Sequence, residues 1–142
     1  GGVERARALG RKLDTGLAII DKRRPAPGKS QVMNVIGSVK GKTCIIVDDI
    51  IDSGGTIVNA ASALKKRGAK EVHVYVTHAV LSGEAVDKIK KSKIKNLVVT
   101  DTIDSSDKSK KARNIEVLTI SNLLAEAMKR ISNSTSVSDL FK

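Results

Sequence analysis

Apolar and polar positions alternate along this chain in two periods, and the switches between them mark out its elements. Val3, Ala6, Leu9 and Leu13 recur at helical spacing with arginines between them, which predicts an amphipathic helix over Val3–Leu13. Leu17–Ile20 is a short apolar run of strand length. Asp21–Gly28 follows, with two prolines and a glycine that argue against regular structure. Ser30–Ile36 suits another strand, and Val39–Lys42 a turn. Cys44–Val47 is an apolar run with three β-branched residues, the pattern of a strand buried in a parallel sheet. A helical period then runs from Thr56 to Arg67, with Gly68 placed to stop it.

The second half repeats this order. Val72–Thr77 suits a strand ending at His78, Ser82-Gly83 introduces a helix to about Lys91, and Leu97–Thr100 is the next strand. Asp104–Lys111 is expected to be a polar loop. Ile115–Leu118 is a short strand, and Ser121 is placed to cap a helix over Asn122–Ile131. Strands alternating with helices imply an α/β fold with parallel pairing and helices on both faces of the sheet. The 142 residues show no internal repeat and suit a single domain.

Composition narrows the function. Only Tyr75 and Phe141 are aromatic, so aliphatic side chains must fill the core. No apolar run approaches the ~18 residues of a membrane helix. The lone Cys44 excludes an internal disulfide and fits a reducing compartment, so the cytoplasm is the expected location. A net charge of +11 raises the question of nucleic acid. The lysines are scattered, however, and base-stacking aromatics are nearly absent, which argues against specific nucleic-acid binding.

The chemistry concentrates in Cys44–Thr56, read CIIVDDIIDSGGT. A strand delivers Asp48 and Asp49 at its expected carboxyl end, and Asp52-Ser53-Gly54-Gly55-Thr56 leads into a helix. Small residues let backbone N–H groups approach an anion, and the helix N-terminus adds unpaired donors and a favourable dipole. The carboxylates can accept hydrogen bonds from hydroxyls beside that anion, so a polyol phosphate satisfies both. Taken singly, each piece has a plainer reading: a Gly-Gly turn, Thr56 as an N-cap, or a solvated acidic strand end.

VDDIIDSGGT resembles the phosphoribosyl-pyrophosphate loop of type I phosphoribosyltransferases and of ribose-phosphate pyrophosphokinases. Together with GGVERARALGRKL, IIDKRRP, THAVLSG and SVSDLF, in this order, the chain resembles the C-terminal domain of ribose-phosphate pyrophosphokinase over essentially all its residues. The resemblance implies a phosphoribosyltransferase-like α/β fold. It also implies transfer of the diphosphoryl group of ATP to ribose 5-phosphate, with Mg2+ as cofactor and a homo-oligomer at full length. Asp48 and Asp49 would bind the ribose hydroxyls, through a metal or directly. Asp52, Ser53, Gly54, Gly55 and Thr56 would hold the 5-phosphate, Asp52 by ordering the turn or the ribose. Lys22 and Arg24 would neutralise the transferring group, and Ser136, Ser138 and Phe141 would belong to an allosteric nucleotide site between subunits. Because adjacent strand residues point to opposite faces, an acid–base pair at Asp48 and Asp49 is disfavoured. The family's first domain, with most of its ATP site, has no counterpart in these residues, so the chain is expected to be one half of a two-domain enzyme and inactive alone. A phosphoribosyltransferase and a non-catalytic sugar-phosphate subunit are the alternatives.

Overall fold

The computed structural model describes residues 2–23 and 32–141. Helix α1 covers Gly2–Lys12 and leads to an antiparallel hairpin of β1 (Ile19–Arg23) and β2 (Val32–Ile36). Then come β3 (Thr43–Ile51), α2 (Gly55–Lys66), β4 (Glu71–Ala79), α3 (Ala85–Lys90), β5 (Asn96–Thr100), a short α4 (Ser106–Ser109), β6 (Ile115–Leu118) and α5 (Ser121–Ser132). A 3₁₀ turn at Ser138–Phe141 closes the described chain. Strands β3 to β6 form one parallel sheet in the order β3-β4-β5-β6, each strand beside its neighbour in sequence.

The parallel α/β expectation therefore holds for four strands, while β1 and β2 depart from it. They pair with each other antiparallel, Ile19 opposite Ile36 and Arg23 opposite Val32, because the eight residues between them in the sequence are fewer than the dozen or so that a parallel crossover needs. Asp21, Lys22 and Arg23 were expected in an irregular loop. They continue β1 instead, since the pairing partner Val32–Asn34 runs alongside and the prolines come later.

The core forms where the sheet meets α2 and α3. Val72, Val74 and Val76 on β4, Leu97 and Val99 on β5, Ile57, Ala61 and Leu64 on α2 and Ile89 on α3 are all buried. Helix α2 stops as the sequence suggests. Ala69 N–H donates to Leu64 O and Gly68 N–H to Lys65 O, with Gly68 in the left-handed region at φ 88°. Helices α1 and α5 contain no buried residue. A groove of about 1010 Å³ runs among α1, β1, β3 and α2, lined by Leu9, Leu17, Ile19, Ile45 and Ile57 among others.

Two further expectations are corrected. Ser121 is not a cap but the first helical residue. Ile120 holds the cap position, its N–H donating to Asp101 Oδ1 at 2.9 Å, and Ser121 N–H donates to Thr119 Oγ1 at 3.2 Å. The polar stretch Asp104–Lys111 contains α4, nucleated where Asp104 Oδ1 accepts from the N–H and hydroxyl of Ser106. Among the described residues, no helix is long and apolar enough to cross a membrane.

Candidate functional site

A parallel sheet gathers its strand-to-helix loops at the carboxyl ends of the strands, where ligands of such folds bind. Strand β3 reaches that end later than its sequence suggests. Asp48 and Asp49 were expected just beyond the strand, but β3 runs on to Ile51. Asp48 pairs with Val76, Ile50 with His78 and Ile51 with Ala79, and only the Asp49 position lacks a ladder partner. Backbone pairing with the equally long β4 carries the strand past its apolar run, and the two carboxylates stand partly exposed on it.

The structure also removes the expected separation of the two carboxylates. Arg5 Nη2 lies 3.2 Å from Asp49 Oδ2 and 3.9 Å from Asp48 Oδ1, so both acids face one guanidinium from α1. Asp49 N–H donates to Asp48 Oδ1 at 3.0 Å. A hydrogen bond shared with the Asp48 carboxyl, its own backbone N–H and the Arg5 charge together hold Asp49 below the usual carboxylate range. Arg5 was not singled out from the sequence, where it is one of several arginines between the apolar positions of α1. Its proximity to the acids is a product of α1 packing along β3.

Asp52, Ser53 and Gly54 turn the chain into α2. Gly54 occupies the N-cap position with φ 75° and ψ −11°, in the left-handed region that glycine tolerates, and makes no side-chain cap. Thr56 is thus inside the first turn of α2 rather than its cap. Among the described residues, the N–H groups of Ser53, Gly54, Gly55, Thr56 and Ile57 donate to no protein acceptor; the first bond of the turn is Val58 N–H to Gly54 O at 3.0 Å. Ser53 and Thr56 are exposed. The loop therefore offers consecutive free donors and two hydroxyls at the positive end of a 12-residue helix, the arrangement that binds phosphate.

The remaining sequence candidates belong to other segments of the chain. Lys22 is on β1, opposite Met33, and Arg24 lies outside the described residues. Ser136 O accepts from Arg130 Nη1 at 2.9 Å, and Ser138 opens the final 3₁₀ turn. Phe141 exposes its ring, while its carbonyl accepts from Lys12 Nζ at 3.4 Å. Lys12 lies two turns along α1 from Arg5, about 10 Å at the helical rise. His78 pairs with Thr102 Oγ1 at 2.9 Å, which accounts for it structurally.

A metal would find few ligands here. Among the described residues no group of three His, Cys, Asp or Glu side chains could hold one. Asp48 and Asp49 alone suit magnesium, which is often held by one or two carboxylates plus substrate phosphates.

Residues 2–142 match the family described as the phosphoribosyl synthetase-associated domain. A ribose-phosphate pyrophosphokinase from Hyphomonas neptunium is 59% identical over 142 residues, covering 99% of this chain and 46% of that protein. The one from Bradyrhizobium diazoefficiens is 57% identical over 141 residues, covering 99% and 44%. Among solved structures, phosphoribosylpyrophosphate synthetase from Mycobacterium smegmatis superposes with a TM-score of 0.78 at 36% identity, over 92% of this chain and 42% of that one. The chain spans less than half the length of each of these relatives.

Proposed function

The chain belongs to the phosphoribosyl synthetase-associated domain family, and from that premise we propose that it is the ribose 5-phosphate-binding part of a ribose-phosphate pyrophosphokinase. The observation that carries this reading is the run of unpartnered N–H groups from Ser53 to Ile57 beside the Asp48–Asp49–Arg5 cluster. The loop Asp52–Thr56 takes the 5-phosphate through backbone donors and the hydroxyls of Ser53 and Thr56. Asp48 and Asp49 accept hydrogen bonds from the ribose hydroxyls, and Arg5 sets a positive charge beside both acids. In the complete enzyme the β,γ-diphosphoryl group of ATP passes to the anomeric hydroxyl, a transfer that needs positioning and charge neutralisation more than covalent chemistry.

Lys22 and Arg24 supply positive charge to the transferring group, and most of the ATP site belongs to the other half of the enzyme. Mg2+, held by Asp48 or Asp49 together with substrate oxygens, supplies further neutralising charge when bound. The tail carrying Ser136, Ser138 and Phe141 contributes to a regulatory site in a cytoplasmic homo-oligomer.

Calorimetry with ribose 5-phosphate, ribose and inorganic phosphate tests the binding reading directly. Asp49→Asn removes a charge-assisted hydrogen bond of ~1.5–3 kcal/mol, a loss of roughly ten- to hundredfold in sugar-phosphate affinity. Lys22→Ala, made in a full-length enzyme carrying this chain, should lower turnover and leave ribose 5-phosphate affinity nearly intact. Equal binding of ribose with and without its phosphate would sink the proposal.

A further inference from the structure

The loop that carries the free donors does not stand alone. Strand β4 ends at Ala79, level with Ile51 at the end of β3. Beyond it the chain makes a short connection, Val80–Glu84, before α3 begins. The N–H groups of Val80 and Leu81 both donate to Ile51 O, at 3.0 and 3.2 Å, and Ser82 N–H donates to Asp52 O at 3.1 Å. The last carbonyl of β3 and the first of the phosphate loop are thus both held by the neighbouring connection.

Leu81 is the unusual residue in this arrangement. Its φ is 49°, the left-handed region disfavoured for side chains bearing a Cβ, yet it is only 1% exposed. Such a conformation persists where the surroundings over-determine it, and it points to a functional constraint. The leucine side chain sits in the core cluster that also contains Ile51, Ile57, Ala85 and Ile89. Apolar burial there offsets the backbone cost, and the turn converges two successive N–H groups on one carbonyl. On the far side of the loop, a Cβ built on Gly54 would lie 3.6 Å from Ala85 O and 3.7 Å from Ala85 Cα. From outside, Lys108 Nζ donates to Val80 O at 2.7 Å. The phosphate loop therefore passes close to Ala85 and hangs from Val80–Ser82.

We propose that Leu81 is a positioning residue: anchored in the core in a left-handed turn, it fixes the Val80–Ser82 N–H groups that hold the Asp52–Thr56 loop open as a preformed anion cradle. It touches no ligand. The cradle's use for ribose 5-phosphate rests on the function proposed above, whereas the brace itself does not. Preorganisation of this kind raises affinity by reducing the ordering that binding requires.

The test compares Leu81→Ala, Leu81→Met and a buried control, Val99→Ala, in the 142-residue chain. NMR relaxation on the free protein reads the order of the Gly54 and Gly55 amides, and calorimetry reads ribose 5-phosphate affinity. Leu81→Ala should lower those order parameters and weaken the sugar phosphate about tenfold. Leu81→Met should restore both, and Val99→Ala should lose stability without either effect. Lys108→Ala, an exposed change that only frees the Val80 carbonyl, should give the same signature at smaller amplitude, and it serves where Leu81→Ala is too unstable to study. Unchanged Gly54 and Gly55 order in Leu81→Ala and Lys108→Ala overturns the brace. Order lost as expected, in a protein that never bound ribose 5-phosphate, leaves the brace standing and removes the sugar-phosphate reading instead.

Discussion

The elements β4, β5, α2 and α3 and the helices α1 and α5 are packed on different terms. On the first, Val72, Val74, Leu97, Val99, Ala61 and Ile89 are sealed from solvent completely. On the second, α1 and α5 bury no residue, Leu124, Met128 and Ile131 of α5 stand exposed, and a groove lies among α1, β1, β3 and α2. The functional candidates divide along the same line. The anion loop springs from the sealed side and is braced by it. The acid pair meets its counter-charge, Arg5, across the boundary, from a helix that buries nothing. The proposed phosphate loop thus stands beside closely packed elements, and the neighbouring charge cluster beside a helix with no buried residue.

The largest effect that can break this contrast is in the core. Leu97→Ala should destabilise the fold by about 2–5 kcal/mol, while Leu124→Ala on α5 should stay within about 0.5 kcal/mol. Chemical denaturation of both variants measures the difference, and comparable losses would show that α5 is as much a part of the core as β5. Gly54→Ala comes next. A Cβ there meets only ordinary contacts, so its cost is the left-handed backbone, about 1–2 kcal/mol, read as a lower midpoint and a weaker phosphate affinity. A right-handed relaxation of residue 54 with unchanged affinity would mean that the loop is less fixed than its brace implies.

The smallest effect sharpens the boundary itself. Because Asp49 titrates lower folded than unfolded, its contribution to stability is complete above the unfolded pKa of ~3.9 and is lost as pH falls through the folded value. Arg5→Gln should move the Asp49 titration part of the way back up, since the Asp48 hydrogen bond is the larger cause and remains. Stability at neutral pH should change little, as exposed ion pairs contribute little. Carboxyl-carbon NMR titration follows Asp49 directly, and an unmoved titration would detach Arg5 from the site.

Much of this was legible in the chain. Periodicity located α1, α2 and β4 to β6 within a few residues, because each carries its own apolar pattern. The loop Asp52–Thr56 was legible for a different reason: its small residues have no packing role to disguise. The sequence misled where tertiary pairing overrode local pattern. β3 runs past its apolar stretch because β4 is there to bond it, and β1 holds Asp21–Arg23 because β2 lies alongside. Arg5 and Leu81 were hidden for a related reason. An arginine among arginines and a leucine among apolar residues carry no mark of their own, and only three-dimensional placement sets the first beside two acids and the second in a left-handed turn.

The strand order has a kinetic meaning. Each strand from β3 to β6 pairs with the next one along the chain, so every closure spans a single connection and none must wait for a distant segment. Closing entropy rises slowly with loop length and folding slows as contacts become more remote, so this sheet can grow outward one strand at a time. The docking of β4 on β3 is the step that brings Ala79 level with Ile51 and delivers the Val80–Ser82 amides to their carbonyls. The backbone bonds that brace the proposed phosphate cradle thus join only the first pair of strands, and β5 and β6 extend the sheet away from that end.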